Sequence, residues 1–317
     1  MLQKEKKTNH PTKALSETAD SLRKIFGDRV AFDEPLSRHC SFRVGGKADF
    51  FVRAATTKLL KQAVEFCQRH GIGYFVLGAG TNLLIPDEGY RGMALKVEMR
   101  KIQFEDSTVV AEAGTKLRRL AHETAEKGLA GLEFAEGIPG TVGAAVVMNA
   151  GAFGEQIGDR VLHVNAVDCR GRSIKLSHDE MGFGYRSSNL MDSDLIVTEV
   201  ELALNPADLK SIRRRLEQVR QARNRVQPSE PNAGCVFKNS AEDSAGRLID
   251  GCGLKGLRRG GAQVSEKHAN FIINRHNATY ADIKMLMQQI INQVHEKYNV
   301  ALEPEIIDIG EQVLSDR

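Results

Sequence analysis

The chain has 317 residues, of which 41% are hydrophobic and 27% charged, with a formal net charge of +3. Such a length accommodates two or three domains, each with its own core, and the charge is too small for a nucleic-acid-binding surface. Five cysteines, Cys40, Cys67, Cys169, Cys235 and Cys252, are scattered without CxxC spacing. This argues against structural zinc or any other metal centre, against a disulfide framework, and for a reducing, cytoplasmic setting.

Residues 1–14 are basic and polar and are expected to form a disordered tail, neither signal peptide nor membrane anchor. No apolar run nears the roughly 20 residues that a membrane span needs. Residues 15–100 read as a small α/β unit. Leu15, Leu22, Ile25 and Phe26 share a helix face, residues 48–54 form a strand, and 74–78 form a short buried strand. Between the strands, 56–71 is an amphipathic helix, capped by Thr56 or Thr57 and stopped at Gly71.

A second unit spans 101–208. It has a strand at 108–114, a helix at 115–128, a Gly- and Ala-rich stretch at 137–158, a hairpin over 163–176 and a strand at 194–204. A basic helix over 206–226 carries six arginines and ends at Gln227-Pro228. A third unit, taken as 209–317, continues with a helix near 243–253, a strand pair in 260–274 and a helix over 280–299. The fold class is α/β with α+β character, in three domains.

Two glycine loops stand out. Gly78, Ala79, Gly80, Thr81, Asn82 and Leu83 follow a predicted strand, but the spacing is neither GxGxxG nor a P-loop. Gly137, Ile138, Pro139, Gly140, Thr141, Gly143 and Ala144 open a helix that Thr141 is placed to cap, and Asn149 to Gly151 make a second turn. Two amide-rich loops in adjoining units fit one extended, pyrophosphate-bearing cofactor. The segment PNAGCVFKN, residues 231–239, sets Cys235 in a glycine turn beside Lys238 and Asn239. A thiol so placed suits a nucleophile, a metal ligand or a proton donor.

Eight segments in register carry a resemblance that covers most of residues 40–310. They are SFRVGGKADFFV (41–52), LGAGTNLLIPDEGYRG (77–92), GLEFAEGIPGTVGAAVVMNAGAFG (131–154), FGYRSS (183–188), PNAGCVFKN (231–239), AGRLIDGCGLKG (245–256), GGAQVSEKHANFIIN (260–274) and LEPE (302–305). The chain resembles the UDP-N-acetylenolpyruvoylglucosamine reductases, flavoenzymes of peptidoglycan precursor synthesis. The resemblance implies two domains binding FAD non-covalently in the manner of vanillyl-alcohol-oxidase-type flavoproteins, and a third over the substrate. It implies NADPH as co-substrate and UDP-N-acetylglucosamine enolpyruvate as the acceptor. A monomer is expected, with no nucleic-acid or membrane partner. Only a few residues separate FGYRSS from the next strand, so the chain resembles the shorter subtype, without a tyrosine-bearing lid loop.

By the same resemblance, Arg186 holds the substrate carboxylate, Glu305 stabilises the enol form with a raised pKa, and Cys235 protonates C2. Many relatives carry serine at the last position. A thiol is more acidic than an alcohol and mostly protonated at neutral pH, so the substitution is chemically sound. Glu303, two residues from Glu305, is expected to point the other way. Lys238, Asn239, His268 and Asn270 are expected on the substrate side, and Arg225 is the expected phosphate contact on the basic helix. Two other readings fit parts of the sequence. One is another FAD oxidase or dehydrogenase of the same fold, with His39 as the nearest tether for a covalent flavin. The other is a nucleotide-sugar-binding regulatory module.

Overall fold

The computed structural model describes residues 11–240 and 243–311. Helix α1 (Pro11–Phe26) begins before the expected end of the tail. Proline is at home in a first helical turn, where its missing N–H has no partner to lose. The rest of the expected tail, residues 1–10, lies outside the described residues. Helix α2 (Thr57–His70) is capped as expected: Thr56 accepts from the Leu59 amide at 3.2 Å, and Gly71 ends it with φ +61°.

The first lobe is a four-stranded sheet in the order Val30–Pro35, Lys47–Ala54, Tyr90–Val97, Tyr74–Leu77. Its first pair is antiparallel and the other two are parallel. The second lobe is a five-stranded antiparallel sheet, Ser173–Ser177, Val161–Val167, Ile196–Ala203, Thr108–Glu112, Ile102–Glu105. Helix α3 (Leu117–Glu126) shares its core cluster, and helix α4 (Val142–Val147) packs directly on it.

Three separate cores are not what forms. Phe50, Val52, Met93 and Leu95 join one cluster with the second lobe, while Phe51, Phe75, Tyr90 and Ala94 join another with the third. Alternate side chains point to opposite faces of a strand, so a sheet with both faces apolar is buried on both sides. The first lobe is therefore the shared middle layer.

Helix α5 (Leu209–Val226) is capped by Asp208, which accepts from the Ser211 amide at 2.9 Å. Its Ile212 and Leu216 enter the cluster of the second lobe. This packing assigns α5 to that lobe, and we propose that the boundary expected at 209 falls after Val226. The third lobe holds α6 (Ala245–Gly251), α7 (Tyr280–Tyr298) and a small antiparallel sheet of Arg258–Arg259, Ala262–Val264 and Ile272–Asn274. Its last strand, Ile307–Asp308, returns to the first lobe and pairs in parallel with Leu83–Leu84. No helix among the described residues is long and apolar enough to cross a membrane.

Candidate active site

The thiol of Cys235 sits in a strap whose backbone is hydrogen-bonded to Ser41, Asn270, Glu303 and Glu305. Gly234 takes φ +80°, and nothing lies within 4 Å of where its Cβ would be, so glycine is required for conformation rather than space. The Asn232 side chain accepts from the Gly234 amide at 2.9 Å, and Ser41 Oγ donates to the Asn232 carbonyl at 2.5 Å. Beyond Cys235, the Val236 carbonyl accepts from the Glu305 amide at 2.8 Å, and the Lys238 amide donates to the Glu303 carbonyl at 2.9 Å. This pairing brings the acid of LEPE beside the thiol, across a gap of some seventy residues in the chain.

Arg186 arrives from the second lobe on a tight turn in which the Gly184 amide donates to the Ser187 carbonyl at 3.0 Å. Arg186 itself has φ +54°, a left-handed conformation that a non-glycine residue adopts only under constraint. Asn149 supplies the constraint. It is fully buried, donates to the Gly184 carbonyl at 2.8 Å and accepts from the Gly158 amide at 3.0 Å. Arg186 then reaches Glu305, with Nε 3.2 Å from Oε1, and donates to the Gly151 carbonyl at 2.9 Å.

The two glycine loops meet each other and this cluster. A Cβ on Gly78 would lie 2.7 Å from Thr141 Oγ1, and Thr81 Oγ1 donates to the Pro139 carbonyl at 3.1 Å. Gly80, at φ +69°, lets the loop pass the His39 carbonyl, which an added Cβ would meet at 2.0 Å. Asn82 donates to the Glu305 carbonyl at 3.0 Å, so the first loop holds the acid directly. Leu83 is buried in the strand that pairs with Ile307–Asp308. Within the second loop, Ile138 and Gly140 are half-buried, whereas Gly137, Pro139 and Ala144 are exposed, the last alone among the α4 residues. Gly143 lies against Ala113, whose Cβ would be 2.7 Å from a Cβ there. The amides of Ala79, Thr81, Gly140 and Thr141 form no hydrogen bond within the chain among the described residues. Unspent amides on two touching, small-residue loops fit a pyrophosphate and a flat ring.

The electrostatics follow from burial. The Cys235 thiol is pushed up to about 11, first by burial and then by the Glu305 carboxylate, against the pull of Arg186 and Arg223. It is protonated at neutral pH. Burial raises Glu305 as well, more than Arg186 and Lys238 lower it. Glu303 faces away, exposed, with its Oε1 2.5 Å from Lys238 Nζ.

Several expected contacts have other employment. Arg225 is exposed, and its helix neighbour Arg223 is the half-buried arginine that lies against Gly137 of the second loop. Helix periodicity carries the signal: Ile212, Leu216 and Val219 mark the buried face, and Arg223 continues it. Asn270 is buried and holds Phe237, accepting from its amide at 3.0 Å and donating to its carbonyl at 2.8 Å, so it braces the strap. It lies in a loop between strands, as does His268. Asn149 braces Arg186 instead of facing a cofactor. Asn239 accepts from the Ala245 amide at 3.1 Å, tying the strap to α6. Thr141 precedes α4 but makes no capping bond, because its hydroxyl faces Gly78. His268 Nδ1 accepts from the Asn270 amide at 3.2 Å, and burial holds its pKa down. Lys96, unnoticed in the sequence, donates to the Gly78 carbonyl at 2.5 Å. Cavities of about 210 and 390 Å³ lie elsewhere, lined by none of the residues expected at the site.

A family of FAD-binding domains matches residues 48–177, which places the chain among FAD-dependent flavoproteins. The C-terminal domain of UDP-N-acetylenolpyruvoylglucosamine reductase matches residues 227–309. The chain is 43% identical to UDP-N-acetylenolpyruvoylglucosamine reductase 2 of Symbiobacterium thermophilum, over 92% of this chain and 96% of that one. It is 40% identical to the reductase of Caldanaerobacter subterraneus, over 92% and 98%. The crystal structure of the enzyme from Thermus caldophilus superposes with a TM-score of 0.76 at 37% identity, covering 88% of this chain and 97% of that one. The chain belongs to the UDP-N-acetylenolpyruvoylglucosamine reductase family.

Proposed function

We propose that the chain reduces the enolpyruvyl group of UDP-N-acetylglucosamine enolpyruvate to the lactyl ether of UDP-N-acetylmuramate, at the expense of NADPH. The observation that carries the reading is the Arg186–Glu305 pair at 3.2 Å beside Cys235, joined by hydrogen bonds to both glycine loops. Bound FAD supplies the chemistry of hydride transfer from NADPH to substrate. His39 is engaged elsewhere, stacked on Phe51 with Nε2 2.9 Å from Glu34, which supports non-covalent flavin.

Hydride addition at C3 builds negative charge at C2 and on the adjacent carboxylate. Arg186 offers that carboxylate a planar fork of donors, pre-aimed by its strained turn. Glu305, with its raised pKa, shares a proton with the enol oxygen. Cys235 delivers its proton to C2, and the S–H electron pair stays on sulfur. Lys238, next to Glu303, braces the strap and biases Glu305. The substrate domain is the third lobe. One chain supplies all three groups, which supports a monomer as the working unit. Five unpaired thiols support a reducing, cytoplasmic setting.

The test is stopped-flow. NADPH bleaches the flavin, and mixing with the UDP-enolpyruvyl sugar restores its colour. Cys235→Ala leaves the bleaching intact and slows recovery by about 10²–10⁴-fold, the usual worth of a general acid. Normal recovery in that variant removes Cys235 from the mechanism, and no recovery in the unmodified protein removes the substrate assignment.

A further inference from the structure

The unspent amides of the two glycine loops, those of Ala79, Thr81, Gly140 and Thr141, share one feature. Each belongs to a peptide group whose carbonyl is held. The Gly78 carbonyl accepts from Lys96 Nζ at 2.5 Å, and the Gly80 carbonyl from the Ser41 amide at 2.8 Å. The Pro139 carbonyl accepts from Thr81 Oγ1 at 3.1 Å, and the Gly140 carbonyl from the Leu117 amide at 3.1 Å. In a planar trans peptide the C=O and the N–H point to opposite sides. Fixing each carbonyl therefore aims the amide that follows it.

The Gly80 and Gly140 carbonyls are held by main chain, which any sequence supplies. The Gly78 and Pro139 carbonyls depend on the side chains of Lys96 and Thr81. Lys96 stands one residue before the end of the strand Tyr90–Val97. It lies opposite Leu77, the last residue of the parallel strand from which the first loop departs. The carboxyl ends of parallel strands are where open α/β sheets take ligands. Lys96 is half-buried, and among the described residues it forms no ion pair. Its ammonium is spent on a neutral carbonyl, in a place where burial works against the charge. We propose that Lys96 is a positioning residue for the cofactor, holding the Gly78–Ala79 peptide so that the Ala79 amide faces the FAD pyrophosphate. Thr81 does the same for the Gly140 amide. Lys96 itself does not touch the phosphate, because the peptide plane stands between them. The inference deepens the flavin part of the proposed function and rests on bound FAD.

The experiment reads binding, not turnover. The FAD-loaded protein is diluted in steps, and the fluorescence of released flavin gives a dissociation constant. Lys96→Met is expected to raise it by about 10–100-fold, the worth of one hydrogen bond to a charged group, and Thr81→Val by a similar factor. Lys96→Arg keeps a donor and is expected to recover part of the loss. Hydrogen exchange in Lys96→Met, followed by mass spectrometry with FAD in excess, should quicken in residues 77–82 and stay unchanged in residues 48–54 of the same sheet. A dissociation constant unmoved in Lys96→Met, or exchange quickened equally in both segments, overturns the proposal. Purified protein without flavin absorbance instead overturns the flavin reading on which it rests.

Discussion

Asn270 closes a two-bond ring with the backbone of Phe237, accepting from its amide at 3.0 Å and donating to its carbonyl at 2.8 Å. The ring imitates a β-ladder pair with a side chain and fixes the strap two residues beyond Cys235. Asn270→Leu strands both Phe237 groups in the interior, at about 1–3 kcal/mol each. The expected result is a lower urea midpoint and slower flavin colour recovery, with FAD still bound. Lower stability with unchanged recovery would show that strap geometry does not set the rate.

Cys235→Ser separates proton donation from sulfur chemistry. The hydroxyl keeps the donor in place, so most of the recovery rate is expected to survive, against the loss in Cys235→Ala. The alkaline limb of the recovery rate in the unmodified protein is expected near pH 11 rather than at the ordinary value of 9.0. It should vanish in Cys235→Ser, and stopped-flow across pH 7–11 checks both.

The same thiol makes stability depend on pH. Its folded value of about 11 exceeds the ordinary 9.0, so the folded state holds the proton more tightly. Stability from this group is fully present below pH 9 and is lost as pH rises from there through 11, by about 2–3 kcal/mol. Cys235→Ser should flatten that part of the pH–stability curve, measured by urea unfolding at pH 8.5 and 10.5. A slope identical to the unmodified protein contradicts the burial of the thiol.

Glu305 and Glu303 make a paired contrast. Glu305 is raised above 4.5 by burial, so its contribution to stability is lost as pH rises through the raised value. Glu305→Gln is expected to remove that slope while slowing recovery by about 10²–10³-fold, as loss of one stabilising group does elsewhere. Glu303→Gln breaks only an exposed pair with Lys238 and should cost under about 1 kcal/mol with little effect on rate. Half-reaction kinetics and pH-dependent unfolding on the two variants decide it.

Gly80→Ala tests the flavin cradle. Its Cβ would meet the His39 carbonyl at 2.0 Å from a backbone at φ +69°. The loop must shift, at roughly 1–3 kcal/mol of backbone strain alone. Weakened FAD retention on gel filtration is the expected outcome, and full retention would place the flavin contact elsewhere.

Local chemistry made much of this legible in the chain alone. Helix α2 is bounded by Thr56 and Gly71 because a hydroxyl caps an amide and glycine tolerates a left-handed turn. Those preferences act over a few residues. The motifs around Arg186, Cys235 and Glu305, which the fold brings together through the Arg186–Glu305 pair and the Val236–Glu305 backbone bond, were readable as well. Arg223 was not, because six arginines on one helix look alike until the packing of Ile212, Leu216 and Val219 turns one inward. Asn270 and Asn149 looked like ligands for the same reason: a buried amide is a ligand or a brace according to which backbone groups the fold leaves beside it. The division of the first sheet between two cores likewise depends on what each face meets. Sequence therefore determined the elements and the chemistry each motif carries. Tertiary structure decided which charged and amide groups share the thiol's surroundings, since Coulomb and hydrogen-bond energies depend on distances that the chain sets only by folding.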